Sequence, residues 1–305
     1  MHSFYNYKSI KKLFKAKDQM DGVGAMGKRI IGSHALSKKE MDPFLMLDLF
    51  NIKLPSGYPD HPHRGFETVT YIIEGTLYHE DFKGHKGTLN PGDVQWMTAG
   101  KGIMHSEIPA SKTEYTLGFQ LWINLRKTDK LIAPAYQELP KEEIPFVDKW
   151  DEEGIKARVI AGEAFGVKGP IYTRTPAEYI DFELKKGAVY RHTIPARWNF
   201  LVFAFKGSFS ITQEDDKAKK LGTYYAAFME ISEADEVMEI KGLEDNSRLL
   251  LVAGLPLKEP ISAYGPFVMN TDEEISDTIS DYQNSENGFE EAETWESEIK
   301  NLMEQ

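Results

Sequence analysis

Apolar and polar residues alternate in short runs along most of the chain, and Gly, Pro and Asp punctuate the runs. The clearest are ETVTYII (67–73), TLYHEDF (76–82), DVQWMT (93–98), TLGFQLWINL (116–125), WNFLVFAF (198–205), SFSIT (208–212) and RLLLVAG (248–254). Period-two runs at this spacing, joined by turns such as NPGD (90–93), predict an all-β sandwich or barrel and not alternating strand–helix units. Two stretches share one grammar of apolar strand, charged residue, glycine and second strand: YIIEGTLYHE (71–80) and FAFKGSFSITQE (203–214). Each is followed by a strand-rich segment, QLWINL or LLLVAG, so two copies of one barrel are expected. The first domain is placed at 1–138, a proline- and charge-rich linker (LPKEEIPFVDKWDEEG) at 139–154, and the second domain at 155–305.

The period changes near the C-terminus. TDEE (271–274) has the form of a capping box, with acids where the helix dipole favours them. Ile275, Ile279 and Tyr282 then recur at helical spacing. After Gly288, Trp295, Ile299 and Leu302 repeat it, which predicts two helical segments packed on a barrel.

Charge and composition narrow the function. The chain has 305 residues and a formal net charge of −12. Residues 271–305 hold twelve acids and one base, leaving −1 for the remainder, so no basic surface is available for direct nucleic-acid binding. There is no cysteine, which excludes disulfides, thiolate metal sites and a cysteine nucleophile. The longest apolar stretch, FLVFAF, is far short of the roughly 20 residues of a membrane span. MHSFYNYKSIKKLFKAK lacks the features of a signal or transit peptide and is read as the edge of the fold. A monomer in the cytoplasm, the nucleus or both is expected.

The candidate chemistry lies in HPHRGFETVTYIIEG (61–75). Residues two apart on a strand share a face, so His61 and His63 project together, roughly 6.5–7 Å apart along the chain. Downstream, GKGIMHSE (100–107) presents His105 and Glu107 with the same spacing. Two such pairs on neighbouring strands supply three nitrogens and one carboxylate for a transition metal. Glu67 competes for the carboxylate role if the chain bends at Gly65. His2, His34, His79 and His85 are read as ordinary polar residues. Trp96, Met97, Met104, Phe119 and Leu121 are candidates for an aromatic pocket, with barrel core as their ordinary use. No glycine run carries a nucleotide-binding fingerprint.

These residues carry a resemblance. HPHRGFETVTYIIEG resembles the first cupin motif, and PDHPHRGFETV with NPGDVQWMTAGKGIMHSE resembles the pirin family of two-barrel cupins. The likeness continues through QLWINLR (120–126), GPIYTRTP (169–176) and GPFVMNTDEEI (265–275). It implies two jelly-roll-type barrels and one non-haem Fe(2+) held by His61, His63, His105 and Glu107, where a general cupin would use the Glu67 position. It also implies quercetin 2,3-dioxygenase activity on a flavonol and O2, with Glu107 or Glu67 taking the flavonol proton. The alternative is an iron-dependent, redox-sensing co-regulator that contacts transcription-factor proteins. Aligning Gly207 on Gly75 sets Thr193 and Pro195 opposite His61 and His63, so the second barrel is expected to be metal-free, with His192 hydrogen-bonded.

Overall fold

The computed structural model describes residues 6–213 and 217–304. His2 and Glu214, which entered the expectations above, lie outside the described residues. Strand β1 (Ile10–Lys15) is followed by β2 (Lys17–Asp21), β3 (Ala25–Ile31), β4 (Phe44–Ile52), β5 (Tyr58–His63) and β6 (Phe66–Glu74). Next come β7 (Leu77–Asp81), β8 (Lys86–Leu89), β9 (Val94–Thr98), β10 (Ile103–Pro109), β11 (Thr116–Asn124) and β12 (Ala135–Leu139). Then β13 (Phe146–Lys149), β14 (Ile155–Ala161) and the short hairpin β15 (Glu163–Ala164) and β16 (Val167–Lys168) lead to β17 (Ala177–Leu184) and β18 (Val189–Ile194). The chain continues with β19 (Asn199–Lys206), β20 (Phe209–Thr212), β21 (Ala218–Leu221), β22 (Tyr225–Met229), β23 (Glu236–Gly242) and β24 (Ser247–Gly254). The hairpin β25 (Ser262–Tyr264) and β26 (Phe267–Met269) precedes helix α1 (Asp272–Gln283).

Contacts divide the described chain into two compact units, 17–141 with 257–304, and 6–16 with 142–256. In the first, a seven-stranded sheet β12-β9-β6-β11-β4-β3-β2 accompanies a four-stranded sheet β5-β10-β7-β8. In the second, β1-β22-β19-β24-β17-β14-β13 accompanies β18-β23-β20-β21. Strand for strand the orders correspond, and the repeat expected from the hairpin grammar is a repeat of whole barrels. The two hairpin glycines do the same work: Gly75 (φ 75°) and Gly207 (φ 68°) are left-handed, and a Cβ would lie 2.5 Å from Tyr115 O or 2.3 Å from Ser247 Oγ. Only glycine fits such a turn without strain.

The core follows from period-two burial. In the second unit Ile180, Phe182, Val202, Leu249 and Leu251 of the larger sheet pack with Ile194, Phe209, Met238 and Ile240 of the smaller one, all under 2% exposed. Each such side chain contributes roughly 1.5–3 kcal/mol by leaving water.

The expected domain boundaries (1–138, 155–305) are corrected at both ends. Strand β1 pairs antiparallel with β22, Lys15 opposite Tyr225, so the first residues complete the edge of the second unit. Residues 257–304 belong to the first unit because their apolar side chains, including Phe267, Met269, Ile275 and Phe289, form one cluster that buries against it. The expected linker at 139–154 is partly strand: Leu139 ends β12, and β13 pairs with β14.

Helix α1 starts as the sequence indicates: Glu274 N donates to Thr271 Oγ1, and the Glu274 carboxylate accepts from Thr271 N, closing the capping box. The second expected helix is only a 3-10 segment, Ile299–Met303. Just upstream, Ser297 N donates to Asp60 and Glu298 N to Glu80, which tie this segment to β5 and β7. Trp295 packs beside Phe82 instead.

Candidate metal centre

Strands β5 and β10 lie side by side and antiparallel, with His61 opposite His105 and His63 opposite Ile103. The register shifts between His105 and Glu107, which lies opposite Tyr58. This pairing gathers three imidazoles. Ring centroids are 4.7 Å apart for His61–His63, 4.4 Å for His61–His105 and 4.9 Å for His63–His105. One ring nitrogen from each lies within 4.8 Å of the others.

The chemistry of these nitrogens fits a cation. His61 Nδ1 lies 2.9 Å from Pro59 O and donates to it, which leaves Nε2 with its lone pair free. His63 Nδ1 and His105 Nε2 are buried and have no hydrogen-bond partner among the described residues. Burial lowers all three pKa values, and the proximity of His61 lowers those of His63 and His105 further, so the rings are neutral and able to donate. Buried ring nitrogens without partners are costly unless something occupies the gap between them. A transition-metal ion with nitrogen and oxygen ligands satisfies that requirement.

Glu107 sits beyond this close group, with both oxygens held. Thr70 Oγ1 donates to Oε1 at 2.7 Å and Gln120 Nε2 donates to Oε2 at 2.8 Å. Thr70 and Gln120 are themselves cross-strand partners on β6 and β11. Burial pushes the Glu107 carboxyl up to about 7, against the lowering effect of both donors.

The structure does not bring Glu67 to this group. Gly65 (φ 89°) separates β5 from β6, and the two strands enter different sheets, so side-chain parity is not carried from His63 to Glu67. On β6, Glu67 and Thr70 are three residues apart and face opposite sides. Glu67 accepts from Trp96 Nε1 at 3.0 Å and Thr98 Oγ1 at 2.7 Å, and is fully buried there.

A cavity of about 740 Å³ reaches His61, His63, Glu107 and Gln120. Trp122 forms part of its wall, 5.3 Å from His63 between ring centroids, with Leu45, Met46 and Val268 nearby. The pocket candidates Trp96, Met97, Met104, Phe119 and Leu121 are core and do not line it, because they point into closed packing. The polar side of the cavity holds Arg29, whose Nε and Nη2 reach Asp48 at 2.5 and 2.6 Å and whose Nη2 reaches Asp21 at 2.8 Å. Of the remaining histidines, His79 is buried 3.3 Å from Glu138, while His85 is half-exposed and donates to Asp81 at 2.9 Å.

Comparison with known proteins identifies the family. Residues 25–123 match the family model for pirin, and residues 179–288 match the pirin C-terminal cupin domain. Human pirin is 48% identical over 287 residues, covering 94% of this chain and 96% of its own. The chain belongs to the pirin family. Pirin-like protein 2 of Arabidopsis thaliana is 45% identical, covering 95% of this chain and 88% of its own. A crystal structure titled quercetin 2,3-dioxygenase from Acinetobacter baumannii superposes with a TM-score of 0.81 at 32% identity. It covers 92% of this chain and 98% of that one.

Two cupin domains are therefore present, and the second differs at the positions that correspond to the candidate metal ligands. The register places His192 opposite Met238, as His61 lies opposite His105, and Ile240 then stands where Glu107 does. The counterparts of His61 and His63 are thus His192 and Ile194, not Thr193 and Pro195. One extra residue between β18 and Gly207 displaces the sequence alignment. His192 Nε2 donates to the Glu178 carboxylate at 2.8 Å and its Nδ1 accepts from Tyr190 Oη at 3.0 Å, while Ile194, Met238 and Ile240 are core.

Sequence reasoning did not single out Asp60, Arg64, Thr70 or Gln120. All four lie inside or beside the quoted motifs, but hydrogen-bond partners on other strands or segments give them their roles, more than 35 residues away for Asp60, Arg64 and Thr70 and 13 residues away for Gln120. Gln120 and Thr70 become legible only once β6 and β11 are known to be neighbours.

Proposed function

We propose that this pirin-family chain is an iron-dependent dioxygenase of the quercetin 2,3-dioxygenase type. The observation that carries it is the convergence of His61, His63 and His105, the last two with buried nitrogens that have no hydrogen-bond partner among the described residues, at a cavity of about 740 Å³. The solved relative titled quercetin 2,3-dioxygenase supports the same reading. His61, His63, His105 and Glu107 would hold the ion. When bound, a redox metal with open positions supplies the place where a chelating flavonol and O2 meet.

The chain's own residues do the rest. Trp122, Leu45, Met46 and Val268 offer apolar walls that stack on the substrate and keep water from it. Glu107 is the carboxylate at the cavity that would take the proton from the flavonol hydroxyl at one of its oxygens. Thr70 and Gln120 keep that carboxylate oriented. In the net reaction both atoms of O2 enter the ring-opened ester, and one ring carbon leaves as carbon monoxide.

The test is metal analysis coupled to oxygen uptake. Iron-loaded protein should consume O2 only when quercetin is added, with carbon monoxide released in equal amount, and His61→Ala should abolish both. Stoichiometric metal without flavonol-dependent uptake would reject the enzyme. Partner binding by the ferrous and ferric forms would then decide for the co-regulator reading, since a switch acts only through differential affinity.

A further inference from the structure

We infer that Asp60 and Arg64, which bracket His61-Pro62-His63, are positioning residues of the metal centre, and that the segment 278–300 holds them in place. The inference rests on the metal reading above and concerns what fixes the ligands. The hydrogen bonds of both bracket residues go to groups other than the three imidazoles, and each acts through its neighbour in sequence.

Arg64 follows His63 directly and is 2% exposed. Its Nε donates to Lys101 O at 2.6 Å, Nη1 to Asp281 Oδ2 at 2.6 Å and Thr278 Oγ1 at 3.3 Å, and Nη2 to Asn287 O at 2.8 Å. The guanidinium also lies over the Phe289 ring, 4.6 Å from its centroid. A planar fork with this many fixed acceptors has one orientation, and a lysine could not reproduce it. Asp60 precedes His61. Its Oδ1 accepts from Ser297 Oγ and from Ser106 Oγ at 3.1 Å, and its Oδ2 receives Ser297 N and Lys300 Nζ, each at 3.3 Å.

Both hubs reach the second ligand strand as well. Ser106 stands between His105 and Glu107, and Lys101 lies in the glycine turn that leads into β10. Each bracket therefore ties three pieces together: the HxH strand, the HxE strand and the C-terminal segment. Glu80 on β7, the other neighbour of β10, accepts from Glu298 N at 3.0 Å and adds a further tie. Metal ligands held by outer hydrogen bonds lose roughly 10–100-fold in affinity when those partners are removed.

The experiment reads cobalt(II) binding to metal-free full-length protein, by chelator competition and by the visible spectrum, with thermal melting of the metal-free form in parallel. Asp281→Asn and Ser297→Ala should each weaken cobalt binding about 10–100-fold and alter the spectrum. Asp281→Glu should recover part of the loss, and Glu273→Ala, exposed on the same helix, should change nothing. If Asp281→Asn does not fold, Lys300→Met at the half-buried rim of the other bracket carries the same expectation. Lower melting temperatures with unchanged cobalt affinity and spectrum would overturn the inference, leaving the segment a purely structural cover. His61→Ala separates the two levels: if it binds cobalt normally, the metal reading falls and takes this one with it. If only His61→Ala weakens binding, the bracket alone is rejected.

Discussion

Thr70 donates to Glu107 at 2.7 Å across the space between β6 and β10, so the carboxylate arrives at the site already aimed. Thr70→Val keeps the shape and deletes the donor, and a lost hydrogen bond to a charged group costs roughly 1.5–3 kcal/mol. Metal release to a chelator should speed up by about tenfold or more, with the fold intact by circular dichroism. An unchanged release rate would show that Gln120 alone orients Glu107.

Glu107 and Glu67 should behave differently when each loses its charge. Glu107→Gln is expected to lower metal affinity by more than the roughly 10–100-fold typical of outer partners. Glu67→Gln should leave affinity unchanged and instead destabilise the fold by about 1–3 kcal/mol, through weaker bonds to Trp96 and Thr98. Urea unfolding beside chelator competition measures both, and the reverse ranking would place Glu67 at the ion.

Gly65→Ala should be severe. Gly65 has φ 89°, and a Cβ there would lie 2.0 Å from Val268 O, so the backbone itself must shift. Backbone strain of this kind costs about 1–3 kcal/mol before any clash is counted. A melting temperature equal to that of the unaltered protein would mean that the turn is not tight.

Lys130 gives a pH signature. It is 1% exposed, donates to Gly65 O, Asn124 Oδ1 and Val268 O, and burial pushes its pKa down to about 8. Between that value and the unfolded lysine value of about 10.4, the unfolded chain binds the proton more strongly, so stability rises with pH. That contribution is complete above the unfolded value and is lost as pH falls through about 8. Unfolding free energies of the unaltered protein should climb relative to Lys130→Met from pH 8 to pH 10 (roughly the window set by the two pKa values). Parallel curves would exclude the shift.

The strands, the two-barrel repeat and the His61/His63/His105 group were legible because each is a local pattern. Period two marks β6 and β11, and the spacing in HPH and HSE survives into β5 and β10. Glu67 was ambiguous because a parity argument needs one continuous strand, and Gly65 breaks it. The pocket was misplaced because Phe119 and Trp122 differ only in which face of β11 meets the cavity, which a run of apolar residues does not reveal. The domain ends were misjudged for a related reason: strand β1 and helix α1 find their partners more than 200 residues away, and proximity in sequence says nothing about such pairings.

That exchange of ends sets an order of assembly. On a ribosome, the histidine strands and their brackets Asp60 and Arg64 are made early, yet the segment 278–300 that holds the brackets emerges only after the whole of the second barrel. A nascent chain therefore carries its three imidazoles for the time needed to translate roughly 190 more residues, from Glu107 to Lys300, at about 5–20 residues per second before both brackets can be held. A chain interrupted inside the second barrel would keep His61, His63, His105 and Glu107 and lack the segment that holds Asp60 and Arg64.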